Sequence, residues 1–234
     1  MAGVFFPPGA TARTTPETPM KAVLTGLLLA ALAWLPAAAA APAGSTPQAG
    51  HDYIELPAAR SWAARPGRIE VAEVFGYSCP HCAHLEPLLA EWKAKLPRDV
   101  DFVAVPAAFG GPWDTWARAY FAASSLGLMP RTHQATFDAV HRSGTLPRNP
   151  SATELAAFFA GYGVDAARFQ AAMADPKVDA QVRQAAALAQ AWELEGTPAL
   201  VVAGRYRVLG HDFEDMLRIA DWLIARERQA GRKP

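Results

Sequence analysis

Two cysteines, Cys79 and Cys82, stand three positions apart and are the only ones in a chain of 234 residues. A thiol takes part in disulfide exchange as its thiolate, so the pair is useful chemically if something lowers one pKa. Pro80 is tolerated just inside a helix start, and Leu85, Leu88, Leu89, Trp92 and Leu96 follow at helical spacing. Cys79 is therefore expected at a helix N-cap, facing free N–H groups and a partial positive charge. His81 can add a positive charge or a donor, and Cys82, one turn on, can close a ring with Cys79. This reading makes Cys79 the exposed nucleophile and Cys82 the sheltered resolving thiol. A stabilised thiolate favours the reduced form, which makes the disulfide an oxidant of others.

Two other uses of these residues stand beside the redox one. Cys79, His81, Cys82 and His84 are all metal-ligand types, but zinc sites built on such a pair normally recruit a second pair, and the chain has no further cysteine. An inert structural disulfide is the other, although so short a ring removes little unfolded-chain entropy.

The elements around the pair must position it. Arg68 to Tyr77 is an apolar, β-branched run interrupted by Glu70 and Glu73, expected as a largely buried strand that gives way abruptly to Cys79-Pro80. Pro87 falls inside the helix that follows and is expected to kink it. Val100 to Val105 reads as a second strand. The middle of the chain carries helical spacing only: Trp113 to Leu126, Pro130 to His141, a capping box at Ser151 and Glu154, a short helix behind Asp165, and Pro176 to Trp192. Strands return at Ala199 to Val202 and Tyr206 to Leu209, a hairpin, and Asp212 caps a strongly amphipathic last helix. This order is that of a small α/β sheet with a helical insertion between its halves. The expected division is 42–107 and 195–234 for the sheet domain and 108–194 for the insertion. Trp113, Trp116 and Phe121 read as core of the insertion, and His84, His133, His141 and His211 as helix-surface histidines.

Composition bounds the rest. Half the chain is hydrophobic (51%), and Lys plus Arg and Asp plus Glu both total 22, so no charge excess points to nucleic acid. Met20-Lys21 opens an apolar run, Ala22 to Leu35, ending in small residues near Ala38 to Ala43. Residues 1–41 thus read as a signal region with translation starting at Met20, a retained anchor being the alternative. Their removal takes away Arg13, Lys21 and Glu17 and leaves 20 basic and 21 acidic residues. Residues 42–51 are expected as a mobile leader, with order beginning near Tyr53.

Phe75-Gly76-Tyr77-Ser78-Cys79-Pro80-His81-Cys82 after a strand, with Gly196-Thr197-Pro198 before a hairpin, resembles the DsbA family of thiol:disulfide interchange proteins from Gram-negative bacteria. The resemblance runs from about residue 53 to 228. It implies a thioredoxin-like α/β fold with an inserted α-helical domain, a periplasmic location, and a catalytic set of Cys79, Cys82, Pro80 and His81. It implies that Pro198 is a cis-proline facing the disulfide and that the Thr197 backbone pairs with an extended substrate segment. Glu73 matches a position at which a buried carboxylate relays the proton of Cys82; a solvated strand residue is its alternative. The implied partners are unfolded exported proteins and a DsbB-like membrane quinone reductase that restores the disulfide. The expected form is a monomer without cofactor or metal. That the couple runs as an oxidant is a property for which this family is itself the standard example, so it is not an independent deduction. An isomerase or reductase using the same motif, or a peptide-binding chaperone with incidental cysteines, remain the alternatives.

Overall fold

The computed structural model describes residues 45–231. The signal region, the start at Met20 and the cleavage region near Ala38 to Ala43 lie outside the described residues. No helix among the described residues is long and apolar enough to cross a membrane.

The strands are β1 (Tyr53–Glu55), β2 (Ile69–Phe75), β3 (Val100–Pro106), β4 (Ala199–Val202) and β5 (Tyr206–Val208). Helix α1 (Pro80–Lys93) joins β2 to β3, and five helices separate β3 from β4. These are α2 (Pro112–Ser125), α3 (Met129–His141), α4 (Ala152–Ala160), α5 (Ala166–Met173) and α6 (Pro176–Ala191), and α7 (Phe213–Ala230) closes the fold. The sheet order is β1-β5-β4-β2-β3, with β2 and β3 parallel and every other pair antiparallel. A parallel pair needs a crossover, and α1 supplies it while carrying the cysteines at its start.

Side chains alternate across the sheet and so build two cores. Val71, Leu200, Val202, Tyr206 and Val208 meet α1 and α7, through Leu85, Leu89, Ile219 and Leu223 among others. Ala72, Val74, Ala199 and Val201 meet α2 and α6, through Ala117, Phe121, Val182 and Leu188. The helical block between β3 and β4 is thus partly fused to the sheet. A third cluster joins Phe75, Tyr77, Cys79 and Cys82 to Trp116, Phe137, Leu155, Phe159 and Phe169 of the helices, so the cysteines sit where strand end and helical block meet.

The expected caps are present. Ser151 and Glu154 form a reciprocal capping box, and Asp165 and Asp212 each accept a hydrogen bond from an amide of the first turn they cap, as does Asp175, which was not read as a cap from the sequence. Helix α1 ends at Lys93 rather than Leu96, since the residue before Pro97 is steered away from helical backbone. The first ordered contacts come earlier than Tyr53: the Gln48 amide donates to the Asp52 carboxylate at 2.7 Å. The expected mobile leader is therefore tied down in its second half. At the hairpin, Gly204 has φ 61°, and a Cβ there would meet the Arg60 carbonyl oxygen at 2.2 Å, so only glycine fits.

Candidate active site

Cys79 is the N-cap of α1, with extended backbone, and Pro80 is the first helical residue. The helix begins there because proline has no N–H to leave unsatisfied in the first turn. Cys79 and Cys82 are unlinked, so the structure describes the dithiol. Neither is exposed: Cys79 is 8% accessible and Cys82 0%. The expectation of an exposed nucleophile needs that correction, because the helical block covers the helix start and leaves Cys79 only a small opening.

The two thiols differ sharply in acidity. A hydrogen bond from the Cys82 thiol holds the Cys79 pKa down, against the effect of burial. Thr197 and the amides of Cys82 and His81 add to this, and together they bring it to about 5. Burial and the neighbouring Cys79 sulfur push Cys82 strongly upward. In its protonated form Cys79 donates to the Thr197 carbonyl at 3.3 Å, and the Thr197–Pro198 peptide is cis. The His81 side chain is exposed, and what reaches the Cys79 sulfur from that position is the main-chain N–H. Sequence reasoning assigned the effect to the imidazole; the amide belongs to the helix start itself.

Glu73 is buried (1% accessible), and neither carboxylate oxygen has a hydrogen-bond partner. Strand alternation puts it on the α1 face with Val71, and burial, with the charge of Glu86 nearby, lifts its pKa to about 8. The alternative of a solvated strand residue is excluded. Its polar surroundings are Glu86, Lys93 and Tyr120 rather than the thiols themselves. Glu70, on the same strand, is buried too, but its two oxygens accept the amides of Trp62 and Ala63 at 2.8 and 2.7 Å.

Two histidines read from sequence as surface residues belong to the support of this site. His133 lies between the Tyr77 hydroxyl and the Glu86 carboxylate, 2.9 Å from each. A carboxylate can only accept, so the ring donates from Nε2 and leaves Nδ1 to the Tyr77 hydroxyl. His141 donates from Nε2 to the Tyr77 carbonyl at 2.7 Å, two residues before Cys79. Burial tends to raise the Glu86 pKa, but His133 and Lys93 outweigh it and hold the carboxyl below its ordinary value. The signal was present in the spacing: His133, Phe137 and His141 repeat every four residues, one helix face with a buried phenylalanine at its centre. His211 and His84 stay exposed.

Trp116 and Phe121 are core residues as expected, but Trp113 is half-buried against the active-site turn. A Cβ on Gly76 would fall 2.2 Å from its ring. Among the described residues, the one trio of histidine and carboxylate groups close enough to share an ion is His51, Asp52 and His211. The four cysteines and histidines of the motif do not converge in this way.

Beside Thr197–Pro198 a groove of about 330 Å³ opens, lined by Leu194, Glu195, Thr197, Pro198, Arg207 and Val208. The site thus sets a low-pKa sulfur at a helix start next to a groove with an accepting carbonyl, an arrangement suited to disulfide exchange with a bound chain.

Comparison with known proteins agrees with this chemistry. Residues 70–220 match the family model described as a DSBA-like thioredoxin domain. The thiol:disulfide interchange protein DsbA of Azotobacter vinelandii is 42% identical over 184 residues, covering 77% of this chain and 85% of that protein. The one from Pseudomonas aeruginosa is 39% identical over 188 residues, 79% and 88% of the two chains. Among solved structures, the oxidoreductase DsbA from Xylella fastidiosa superposes with a TM-score of 0.76 at 50% identity, covering 78% of this chain and 98% of that one.

Proposed function

The chain belongs to the DSBA-like thioredoxin family and is a thiol:disulfide oxidoreductase, and from that premise we propose that it is a periplasmic oxidant that passes a Cys79–Cys82 disulfide to newly exported proteins. The observation that carries the reading is the Cys79 sulfur, held at a pKa of about 5 at a helix start. A group that leaves readily as thiolate makes the disulfide a good donor.

In the first step a substrate thiolate attacks the Cys79 sulfur. The Cys79–Cys82 bond breaks, and the electron pair goes to Cys82, which takes up a proton because its pKa is high. We assign the relay of that proton to Glu73, which is protonated at neutral pH with its pKa near 8 and acts as a nearby proton store rather than by direct contact with the sulfur. In the second step another substrate thiolate attacks the substrate's own sulfur and expels Cys79 as its thiolate. Two substrate thiols are thereby oxidised to one disulfide and the enzyme pair is reduced to a dithiol. Thr197 and Pro198 line the groove in which the attacked segment lies, and the Thr197 carbonyl is free to accept a substrate amide once Cys79 is ionised. Pro80 fixes the helix start, and His81 supplies an amide to the sulfur.

The reduced enzyme then needs an oxidant from outside, assigned to a DsbB-like, quinone-linked membrane protein. The protein acts as a monomer. Residues 1–41 serve as the export signal, and 108–194 act as an insertion between 42–107 and 195–234.

The test is oxidation of a reduced, unfolded protein substrate by the oxidised form. Wild type is expected to transfer one disulfide per molecule and Cys79→Ser none. Equal activity of the two would assign the protein to chaperone-like binding with incidental cysteines.

A further inference from the structure

Arg207 is the centre residue of β5. Its neighbours Tyr206 and Val208 point into the α1/α7 core, so alternation sends Arg207 to the opposite face, across from Val201 and Ile54. It is 7% accessible, and its buried Nε has no hydrogen-bond partner. No carboxylate among the described residues forms an ion pair with it, whereas Arg68, Arg118, Arg226 and Arg228 each hold one. A guanidinium stays charged and offers five donors in a planar fork. Burying it without an anion is unfavourable, and folds normally avoid it.

Arg207 is among the residues that line the groove beside Thr197 and Pro198, and the Thr197 carbonyl is 3.3 Å from the Cys79 sulfur. Glu195 lines the same groove without pairing with it. A charged fork with unused donors, on the wall of a groove whose Thr197 also contacts the reactive sulfur, fits a carboxylate carried by whatever lies there.

We propose that Arg207 is a specificity-determining residue that binds an Asp or Glu side chain of the substrate near its reacting cysteine. The proposal rests on the reading above that the groove beside Pro198 receives the substrate segment. An acidic partner would satisfy the fork in two parallel hydrogen bonds and hold the cysteine at the sulfur, so acidic segments would be attacked in preference to neutral ones.

The experiment uses the full oxidised protein and single-cysteine peptides with Glu at each position within about three residues of the cysteine, each paired with a Gln twin. The rate of mixed-disulfide formation is measured at low ionic strength. For at least one position wild type should favour Glu over Gln by about tenfold, as one charge-assisted contact would give. Arg207→Gln should reduce that ratio to near one and Arg207→Lys should keep only part of it, because the ammonium lacks the fork. Thermal unfolding establishes that the variants fold, and the Glu-to-Gln ratio in wild type tests the idea without them. No preference at any position, or one that survives Arg207→Gln, would overturn the assignment. If neutral and acidic peptides alike fail to react, it is the disulfide-donor reading that falls.

Discussion

Glu70 and Glu73 lie on one strand, both out of water, and the protein treats them oppositely. Glu70, at the end of β2 far from the cysteines, accepts two amide hydrogen bonds from the 62–63 segment and acts as a staple. Glu73, towards the cysteine end, has no partner and keeps its proton at neutral pH. The contrast extends to the sheet ends around them. Near the start of β2, Arg65 and Arg68 pair with Asp101, and Arg228 pairs with Asp99. The buried side chains left unsatisfied among the described residues are Glu73, towards the cysteines, and Arg207, level with Ala72 at mid-sheet and lining the groove beside Pro198. Stability is invested at one end, and unpaired groups are tolerated away from it, where a reaction can use them.

The comparison can be broken most strongly at the sulfur. Cys79→Ser should abolish disulfide transfer, a loss of at least on the order of a thousandfold, while leaving thermal unfolding of the reduced protein cooperative. A collapsed fold would mean that the cysteine end is structural after all. Next comes Glu70→Ala, which removes the charged acceptor of the partly buried Trp62 and Ala63 amides and should cost about 1–3 kcal/mol in denaturant unfolding. A cost under about 0.5 kcal/mol would remove the distinction between the two carboxylates.

Gly76→Ala drives a methyl group into the Trp113 ring, and the overlap should cost about 1–3 kcal/mol while altering the wall beside Cys79. Unchanged stability would show that Trp113 swings away freely.

Glu73→Gln should act through pH. The folded pKa of Glu73 lies above the ordinary 4.5, at about 8, so the folded state holds a proton that the unfolded state releases in that interval. Stability of wild type should therefore fall, relative to Glu73→Gln, as pH rises from 4.5 to about 8. Parallel stability curves would contradict the buried, protonated carboxyl, and unchanged pH dependence of disulfide transfer would remove its proton role. The smallest effect belongs to Asp101→Asn at the far end, an exposed pairing whose contribution should shrink further with salt.

Much of this was legible in the sequence. Pro80 and the leucines behind it place Cys79 at a helix start, the hairpin and the capped last helix follow from periodicity and cap residues, and five helices stand where five helical patterns were read. What was hidden depends on distances between elements. Nothing in the spacing of Cys79, His81 and Cys82 says that an amide rather than the imidazole reaches the sulfur, because that depends on which way the side chain turns. His133 and His141 looked like surface residues because the helix face they share was read without knowing that Tyr77 packs against it. Arg207 was unreadable for a related reason: its significance is the lack of a partner, which only packing reveals, and for Glu73 it took packing to decide between the buried relay and the solvated strand residue. The cis-proline at Pro198 and the pairing role of the Thr197 backbone came from the resemblance to the DsbA family and not from the spacing of the residues.

The central claim is that a helix start and its neighbours hold Cys79 as a thiolate while Cys82 stays protonated. It is tested most directly by following thiolate ultraviolet absorbance of the reduced protein against pH, with Cys79→Ala as the blank. The account predicts a single step with a midpoint near pH 5 that vanishes in the blank, and no step from Cys82 below the ordinary thiol pKa of 9.0. A midpoint close to 9.0, or a low-pH step that persists without Cys79, would contradict it.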